Sequence, residues 1–278
     1  MIDFYKYHGL GNDFIIIDNR EGKLKFEKDI IRALCHRNFG IGADGILLAE
    51  NSKGCDVKMI IYNSDGSSAQ MCGNATRCFA KYLYEKGIIK KKTIHIETLA
   101  GEIITEIRTE NDKVTKIKVD MGKPAFDPKA IPCNIECETV KNIKLKIGSA
   151  AYDITAMLMG VPHAVIFKDE LADSDIIKEG KQIEESPFFP LKTNVNFVKI
   201  LSRSEIILRT WERGAGYTQA CGTGACASVA AGVVNDLLDN RVLVHLRGGD
   251  LIIQWDGQNN IYMEGTAKEV FSGKLTKS

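Results

Sequence analysis

One short pattern occurs twice in the chain. Met71–Cys78 reads MCGNATRC and Ala220–Ala227 reads ACGTGACA, so Cys72-Gly73-Asn74 and Cys221-Gly222-Thr223 each stand just ahead of a helical stretch. The first stretch, Asn74–Gly87, ends in glycine, a common helix stop. The second, Gly224–Leu238, is small and apolar almost all round, which requires a helix surrounded by protein. Ile- and Val-rich runs separated by turn residues fill the sequence on either side of both. Two halves that each surround one cysteine-led helix with strands constrain the chain to an internal duplication. The expected fold is α+β: two pseudo-symmetric domains, each a mixed sheet or barrel wrapped around a central helix.

A length of 278 residues suits two domains. Strands are expected at Phe14–Asp18, Val57–Asn63 and Thr93–Thr98, and a hairpin is expected across Glu110–Lys113. The second half repeats the theme in IKLKIG, YDITAMLMG, HAVIF, NVNFVKI, EIILRTWERG, RVLVHL, DLIIQW and NIYMEG. A further helix is expected over Phe26–Asn38, where Ile30, Ile31, Leu34 and Cys35 form a stripe. Met121–Pro124 is a plausible crossover, and TAKEVFSGKL near the end would return to complete the first domain. The expected division is residues 1–121 plus 266–278 against 122–265.

Lys plus Arg (37) nearly cancels Asp plus Glu (36), so no broad basic face for nucleic acid is expected. No run reaches the roughly 18 apolar residues of a membrane span, and the N-terminus lacks a signal pattern. The expected location is cytoplasmic, where the eight cysteines read as free thiols.

The start of a helix carries unsatisfied N–H groups and about half a positive charge. A thiol there ionises more readily, and the same N–H groups bind a carboxylate. Glycine after the cysteine lets a ligand reach the backbone. Two such motifs facing one small carboxylate would set a thiol on each side of its α-carbon. One thiolate would take the α-proton while the opposite thiol delivers a proton to the other face, inverting the centre. Aimed N–H groups would stabilise the charge growing on the carboxylate. This reading singles out Cys72 and Cys221. Cys35, Cys55, Cys78, Cys133, Cys137 and Cys226 read as ordinary buried cysteines. The spacings Cys-x5-Cys, Cys-x4-Cys and Cys-x3-Cys do not form the paired sets of structural zinc, so no metal is expected. GLGNDF and GTGACA lack the remaining residues of dinucleotide and phosphate loops.

The chain resembles the diaminopimelate epimerase family nearly end to end. KYHGLGNDFIIID, FGIGADGILL, YNSDGS, MCGNATRC, MGVPHAVIF, NVNFV and ERGAGYTQACGTGACA follow in the family's order. The resemblance implies a cofactor-independent enzyme that converts LL-2,6-diaminopimelate to the meso form, with the site in a cleft between two domains; carbanion chemistry needs water excluded, so the domains are expected to close around substrate. It implies Cys72 and Cys221 as acid and base. Gly73 with Asn74, and Gly222 with Thr223, would hold the reacting carboxylate. Asn12, Asn63, Asn194, Glu212 and Arg213 would line the substrate site, and His163 and Glu212 would tune the thiols. A homodimer is implied by the same resemblance.

The chain departs from the family at several positions. Val161 stands where an Asn usually precedes Pro-His, Gly45 where many members carry Gln, and Ala75 replaces Gly. Tyr217 replaces a frequent Glu, and Phe271 stands where some members have a Tyr at the dimer contact. Val161 motivates an alternative substrate for the same chemistry, as in a histidine racemase. Two readings lie in other classes: a hydrolase using Cys221 as nucleophile with His163, and a thiol redox switch.

Overall fold

The computed structural model describes residues 1–276. The chain divides into two compact units, residues 1–120 with 264–278 and residues 121–263. In the first unit the elements are β1 (Ile2–Gly9), β2 (Asn12–Asp18), α1 (Lys28–Cys35), β3 (Gly45–Glu50), β4 (Val57–Asn63), β5 (Ser68–Ala69), α2 (Gly73–Glu85), β6 (Thr93–Thr98), β7 (Gly101–Glu110) and β8 (Lys113–Asp120). The second unit holds β9 (Ile143–Ile147), β10 (Ala150–Met159), β11 (Val161–Phe167), α3 (Asp173–Glu184), β12 (Asn194–Ser202), β13 (Glu205–Glu212), β14 (Gly216–Tyr217), α4 (Gly222–Val234), β15 (Arg241–Leu246) and β16 (Gly249–Gln254). Strand β17 (Tyr262–Gly265) leads back to the first unit, where β18 (Lys268–Leu275) pairs antiparallel with β1.

The two units share one strand plan. In the first, β1 and β2 are antiparallel, β2 runs parallel to β3 with α1 in the connection, and β3 is antiparallel to β4. Strand β4 then pairs antiparallel with β5 and parallel with β6, α2 lying in that connection, and β6 is antiparallel to β7. The second unit repeats every step with β10, β11, α3, β12, β13, β14, α4, β15 and β16. The pseudo-symmetry is therefore one of topology and sense, not only of the cysteine motif.

Burial explains why both faces of these sheets are apolar. Phe14, Ile15, Ile16 and Ile17 of β2 are all buried, so alternate side chains serve two different cores. Ile15 and Ile17 pack with Ile46, Leu48 and the α1 residues Ile31 and Cys35. Helix α2 packs against β1, β2, β7 and β8, on the side left to the intervening residues. In the second unit Ile176 and Ile183 of α3 share a core with Ile154, Ile166, Val195 and Phe197. Helix α4 packs against β10, β11, β12, β13 and β16. Its residues Ala225–Gly232 are all buried, as its uniformly apolar composition requires.

The expected hairpin over Glu110–Lys113 forms between β7 and β8. Asn111 and Asp112 both have positive φ (48° and 59°), the conformation a two-residue turn between twisted strands demands. Helix α1 is shorter than expected, ending at Cys35. Helix α3 buries a short stripe, Ile176, Gly180 and Ile183 at i, i+4 and i+7, that the sequence reading did not single out; Gly180 weakens a helix by about 1 kcal/mol. The glycine is there for contact: a Cβ on it would lie 2.5 Å from the Cβ of Trp211 on β13.

Candidate active site

Each unit places its cysteine at the N-cap of its central helix. Cys72 caps α2 and Cys221 caps α4, both with extended backbone (φ −148°, ψ 117° and φ −116°, ψ 108°). Their carbonyls accept the first helical bonds, from Thr76 N–H at 2.9 Å and Ala225 N–H at 3.0 Å. An extended cap lets the cysteine side chain turn back on the open N–H groups of its helix, although the Cys72 side chain makes no cap bond. Cys221 realises this contact: its Sγ accepts from the Gly224 N–H at 3.4 Å and lies 3.5 Å from the Thr223 hydroxyl.

The surroundings of the two thiols differ. Around Cys72 the polar groups form a directed chain. Arg77, wholly buried, donates to Asn74 Oδ1 at 2.7 Å. Asn74 Nδ2 donates to Asn12 Oδ1 at 3.2 Å, and Asn12 Nδ2 donates to Asp44 Oδ2 at 2.8 Å. A guanidinium can only donate and a carboxylate only accept, so the two charged ends fix both amide orientations. Asn12 Oδ1 therefore faces Cys72, whose Sγ donates to it at 3.7 Å. Asp44 is in turn held by Arg37 at 2.7 Å, which also binds Asp13. Burial raises the Asp13 carboxyl, but hydrogen bonds from Arg37 and Lys6 outweigh it and hold the group well below the carboxylate range.

Cys221 is buried beside a carboxyl group instead. Burial pushes its thiol well above the ordinary value, and the neighbouring Glu212 adds to the shift. The Thr223 hydroxyl and Gly224 N–H oppose it without prevailing. This corrects the expectation that the helix start alone makes the thiol easy to ionise: desolvation outweighs the helix end here. Glu212 is also raised by burial, moderated by hydrogen bonds with Thr218, at 2.5 Å, and Cys221. Thiol and carboxyl thus lie side by side, and the large upward shift of the thiol keeps the proton on Cys221 in the free protein.

His163 on β11 is wholly buried and held neutral, its pKa lowered to about 3 by burial first and by the Arg213 charge second. Its Nδ1 lies 3.0 Å from Asn196 Nδ2, and its Nε2 lies 3.5 Å from Asn194 Nδ2. Cys221 bonds instead to Thr223, Gly224 and Glu212. The Cys221–His163 pair that the hydrolase reading needs is therefore not formed. Asn194 Oδ1 accepts the Arg213 N–H at 2.7 Å, and the exposed Arg213 guanidinium reaches the Leu191 carbonyl at 3.1 Å. Asn63 is exposed at the end of β4 and bonds the Ser67 hydroxyl at 2.9 Å, within its own turn.

A profile of the diaminopimelate epimerase family matches residues 4–126 and 155–270. The chain belongs to the diaminopimelate epimerase family. It is 49% identical over 273 residues to the diaminopimelate epimerase of Pelotomaculum thermopropionicum, covering 98% of each chain. It is 49% identical over 279 residues to that of Halothermothrix orenii, covering 99% of this chain and 98% of the other. Among solved structures it is similar to a probable proline racemase from Agrobacterium radiobacter K84, with a TM-score of 0.72 at 14% identity, covering 100% of this chain and 94% of that one. At that identity the likeness is one of fold. Among the described residues no helix is long and apolar enough to cross a membrane.

Within this family chain, the structure brings together Cys72, Gly73, Asn74 and Asn12 in one unit, and Cys221, Gly222, Thr223, Glu212, His163 and Asn194 in the other. Asp44, Arg77, Asn196 and Thr218 are the polar partners that the sequence reading did not single out. Two carried a signal. Arg77 is a charge in a helix whose other residues from Gly73 to Ala80 are buried. Asn196 follows Asn194 by two on a strand otherwise apolar there, so both point to one face.

The departures from the family pattern are also placed. A Cβ on Gly45 would lie 2.4 Å from the Tyr62 carbonyl oxygen, so a glutamine cannot enter without moving β4. Val161 is half-buried and pairs with Met159 at the β10–β11 turn. Tyr217 bonds Asp173 at 2.7 Å, with the Arg247 guanidinium 4.6 Å from its ring centroid. Phe271 packs edge-on against Phe4 with centroids 6.0 Å apart.

Proposed function

We propose that this chain converts LL-2,6-diaminopimelate to the meso form by two-base proton transfer through Cys72 and Cys221. The observation that carries the proposal is that both halves of one duplicated topology place a cysteine at the N-cap of the central helix. A duplication that served packing alone would have no use for the same reactive side chain at the same cap. In the reaction one thiolate removes the α-proton and the other thiol returns a proton to the opposite face. The C–H electron pair passes transiently to the carboxylate, and an S–H bond replaces the C–H bond broken. The N–H groups at the α2 and α4 starts stabilise that charge. Glu212 relays the Cys221 proton, and Asn12, Asn63, Asn194 and Arg213 read the remainder of the substrate. Homodimerisation and a cytoplasmic location belong to the same proposal.

The test is epimerisation of diaminopimelate in deuterated water by the wild-type chain and by Cys72→Ala and Cys221→Ala. Each variant should lose turnover by several orders of magnitude. Wild-type-like inversion by either variant overturns the mechanism. Val161 favours one second reading, the same chemistry on another amino acid such as histidine. Deuterium exchange across an amino-acid panel separates the two, because a rival substrate would have to exchange far faster than diaminopimelate.

A further inference from the structure

Asn196 lies in the middle of β12, wholly buried, and touches the site only through other residues. Its Nδ2 donates to the Ala164 carbonyl at 3.3 Å, and its Oδ1 accepts from the Thr210 hydroxyl at 3.1 Å. A carbonyl only accepts, so these contacts settle which end of the amide is which. The same Nδ2 faces His163 Nδ1 at 3.0 Å. An N–H pointing at a ring nitrogen needs a lone pair there. A neutral imidazole with its lone pair on Nδ1 carries its proton on Nε2.

The second contact of the ring competes for the same proton placement and is the weaker one. Asn194 Oδ1 is committed to the Arg213 N–H, which turns its Nδ2 toward His163 Nε2 at 3.5 Å. A neutral ring has one lone pair to offer two amide N–H groups, and the 3.0 Å contact at Nδ1 is short enough to hold it while the 3.5 Å contact at Nε2 is at the limit of a hydrogen bond. Burial and the Arg213 charge keep the ring neutral, so both nitrogens do not carry protons together.

We propose that Asn196 is a positioning residue that locks His163 as the Nε2–H tautomer, so that His163 acts in the site as a hydrogen-bond donor to developing negative charge and not as a base at Nε2. The tautomer stands on the geometry alone; its use in catalysis rests on the epimerase reading. It separates the roles of His163 and Glu212. Glu212 exchanges a proton with Cys221, whereas His163 offers a fixed dipole and keeps its proton. It also gives the Asn196 carboxamide a reason to be in an apolar strand, where a valine would pack without polar cost.

The chain has five histidines, few enough to resolve by nitrogen NMR of protein labelled in the imidazole rings, with His163→Gln assigning the signal. His163 should show a pyridine-type Nδ1 and a pyrrole-type Nε2 that do not titrate between about pH 5 and 8. A protonated Nδ1, or a ring that titrates in that range, overturns the proposal. Asn196→Asp replaces the donor by an acceptor and should move the proton to Nδ1. It should also lower kcat by about 10²–10³-fold with a smaller change in KM, the scale for losing one donor aimed at a developing anion. A folded Asn196→Asp that loses activity with the Nε2–H signature intact also overturns the proposal, because Asn196 would then be structural only. If that variant does not fold, the wild-type spectrum decides. The spectra need no substrate, so a chain that failed to epimerise diaminopimelate would leave the tautomer result standing.

Discussion

Gly224 is a place where two familiar effects oppose each other and the structure decides between them. It is the third residue of α4, and alanine in a helix is worth about 1 kcal/mol over glycine. On propensity alone Gly224→Ala should stabilise the protein. A Cβ at this position, however, would lie 2.4 Å from Asn196 Oδ1 and 3.2 Å from both Cβ and Sγ of Cys221. A carbon and an oxygen rest about 3.3 Å apart or more, so Oδ1 must retreat by about 1 Å. It cannot do so freely, since Thr210, Ala164 and His163 hold the amide on three sides. Overpacking of this kind costs about 1–3 kcal/mol. A buried hydrogen bond broken on one side costs about 1–3 kcal/mol more. Subtracting the propensity gain leaves a net loss of about 3 kcal/mol. At about 2–4 °C per kcal/mol for a chain of this size, the melting midpoint should fall by about 6–12 °C. Thermal unfolding followed by circular dichroism reads this directly. A Gly224→Ala protein that melts at or above the wild-type temperature would refute the close approach of α4 to Asn196.

Three further outcomes follow from the charged groups. Lys6 and Asp13 form an ion pair at 2.7 Å with side chains 6% and 15% exposed, so Asp13→Asn should cost about 3–5 kcal/mol by stranding Lys6, while the double variant Lys6→Met with Asp13→Leu should cost less; equal losses in denaturant unfolding would show that the pair is not the cause. Asp44→Ala removes the acceptor that orients Asn12 and should raise KM about tenfold, roughly the 1.4 kcal/mol of one hydrogen bond to a charged group, with little loss of stability because Asp44 is partly exposed; an unchanged KM would remove Asp44 from substrate positioning. His163 has a depressed folded pKa, so the unfolded chain binds a proton first on acidification. Its contribution is present above about pH 6.5 and is lost at about 1.4 kcal/mol per unit as pH falls toward about 3. Unfolding free energies of His163→Gln should therefore change less steeply over that window, and parallel curves would contradict the buried neutral ring.

What the sequence made legible, and what it hid, divides along one physical line. The central helices and most strands were readable because their signal is local: apolar periodicity, a glycine stop, a polar turn. The cysteines were readable because the motif occurs twice. Helix α3 was missed because Gly180 interrupts its short stripe of Ile176 and Ile183, and the reason for that glycine, contact with Trp211, lies on a strand about 30 residues away. The effect of burial on Cys221 was hidden for the same reason. A helix start favours a thiolate on paper, but the desolvation that overrides it comes from residues far apart in the chain. Asp44 was hidden because it acts by orienting another side chain, and orientation leaves no trace in composition.

The duplication explains how two copies of one motif acquire different chemistry. Register aligns the halves: Phe14 pairs with Gly45, and Gly45 with Asn63, in the first unit. In the second unit His163 pairs with Asn194, and the pairing of Val195 with Trp211 sets Asn194 opposite Glu212 at the next rung. Equivalent positions thus hold Phe14 and His163, Gly45 and Asn194, Asn63 and Glu212. Stepping back along β2 and β11 matches Asn12 with Val161. The backbone plan is repeated while the polar groups are redistributed: the first unit meets its thiol with the neutral amide of Asn12, and the second meets its thiol with the carboxyl of Glu212. A carboxyl can take a proton from a thiol and an amide cannot, so the unit holding Glu212 has a proton store that the other lacks.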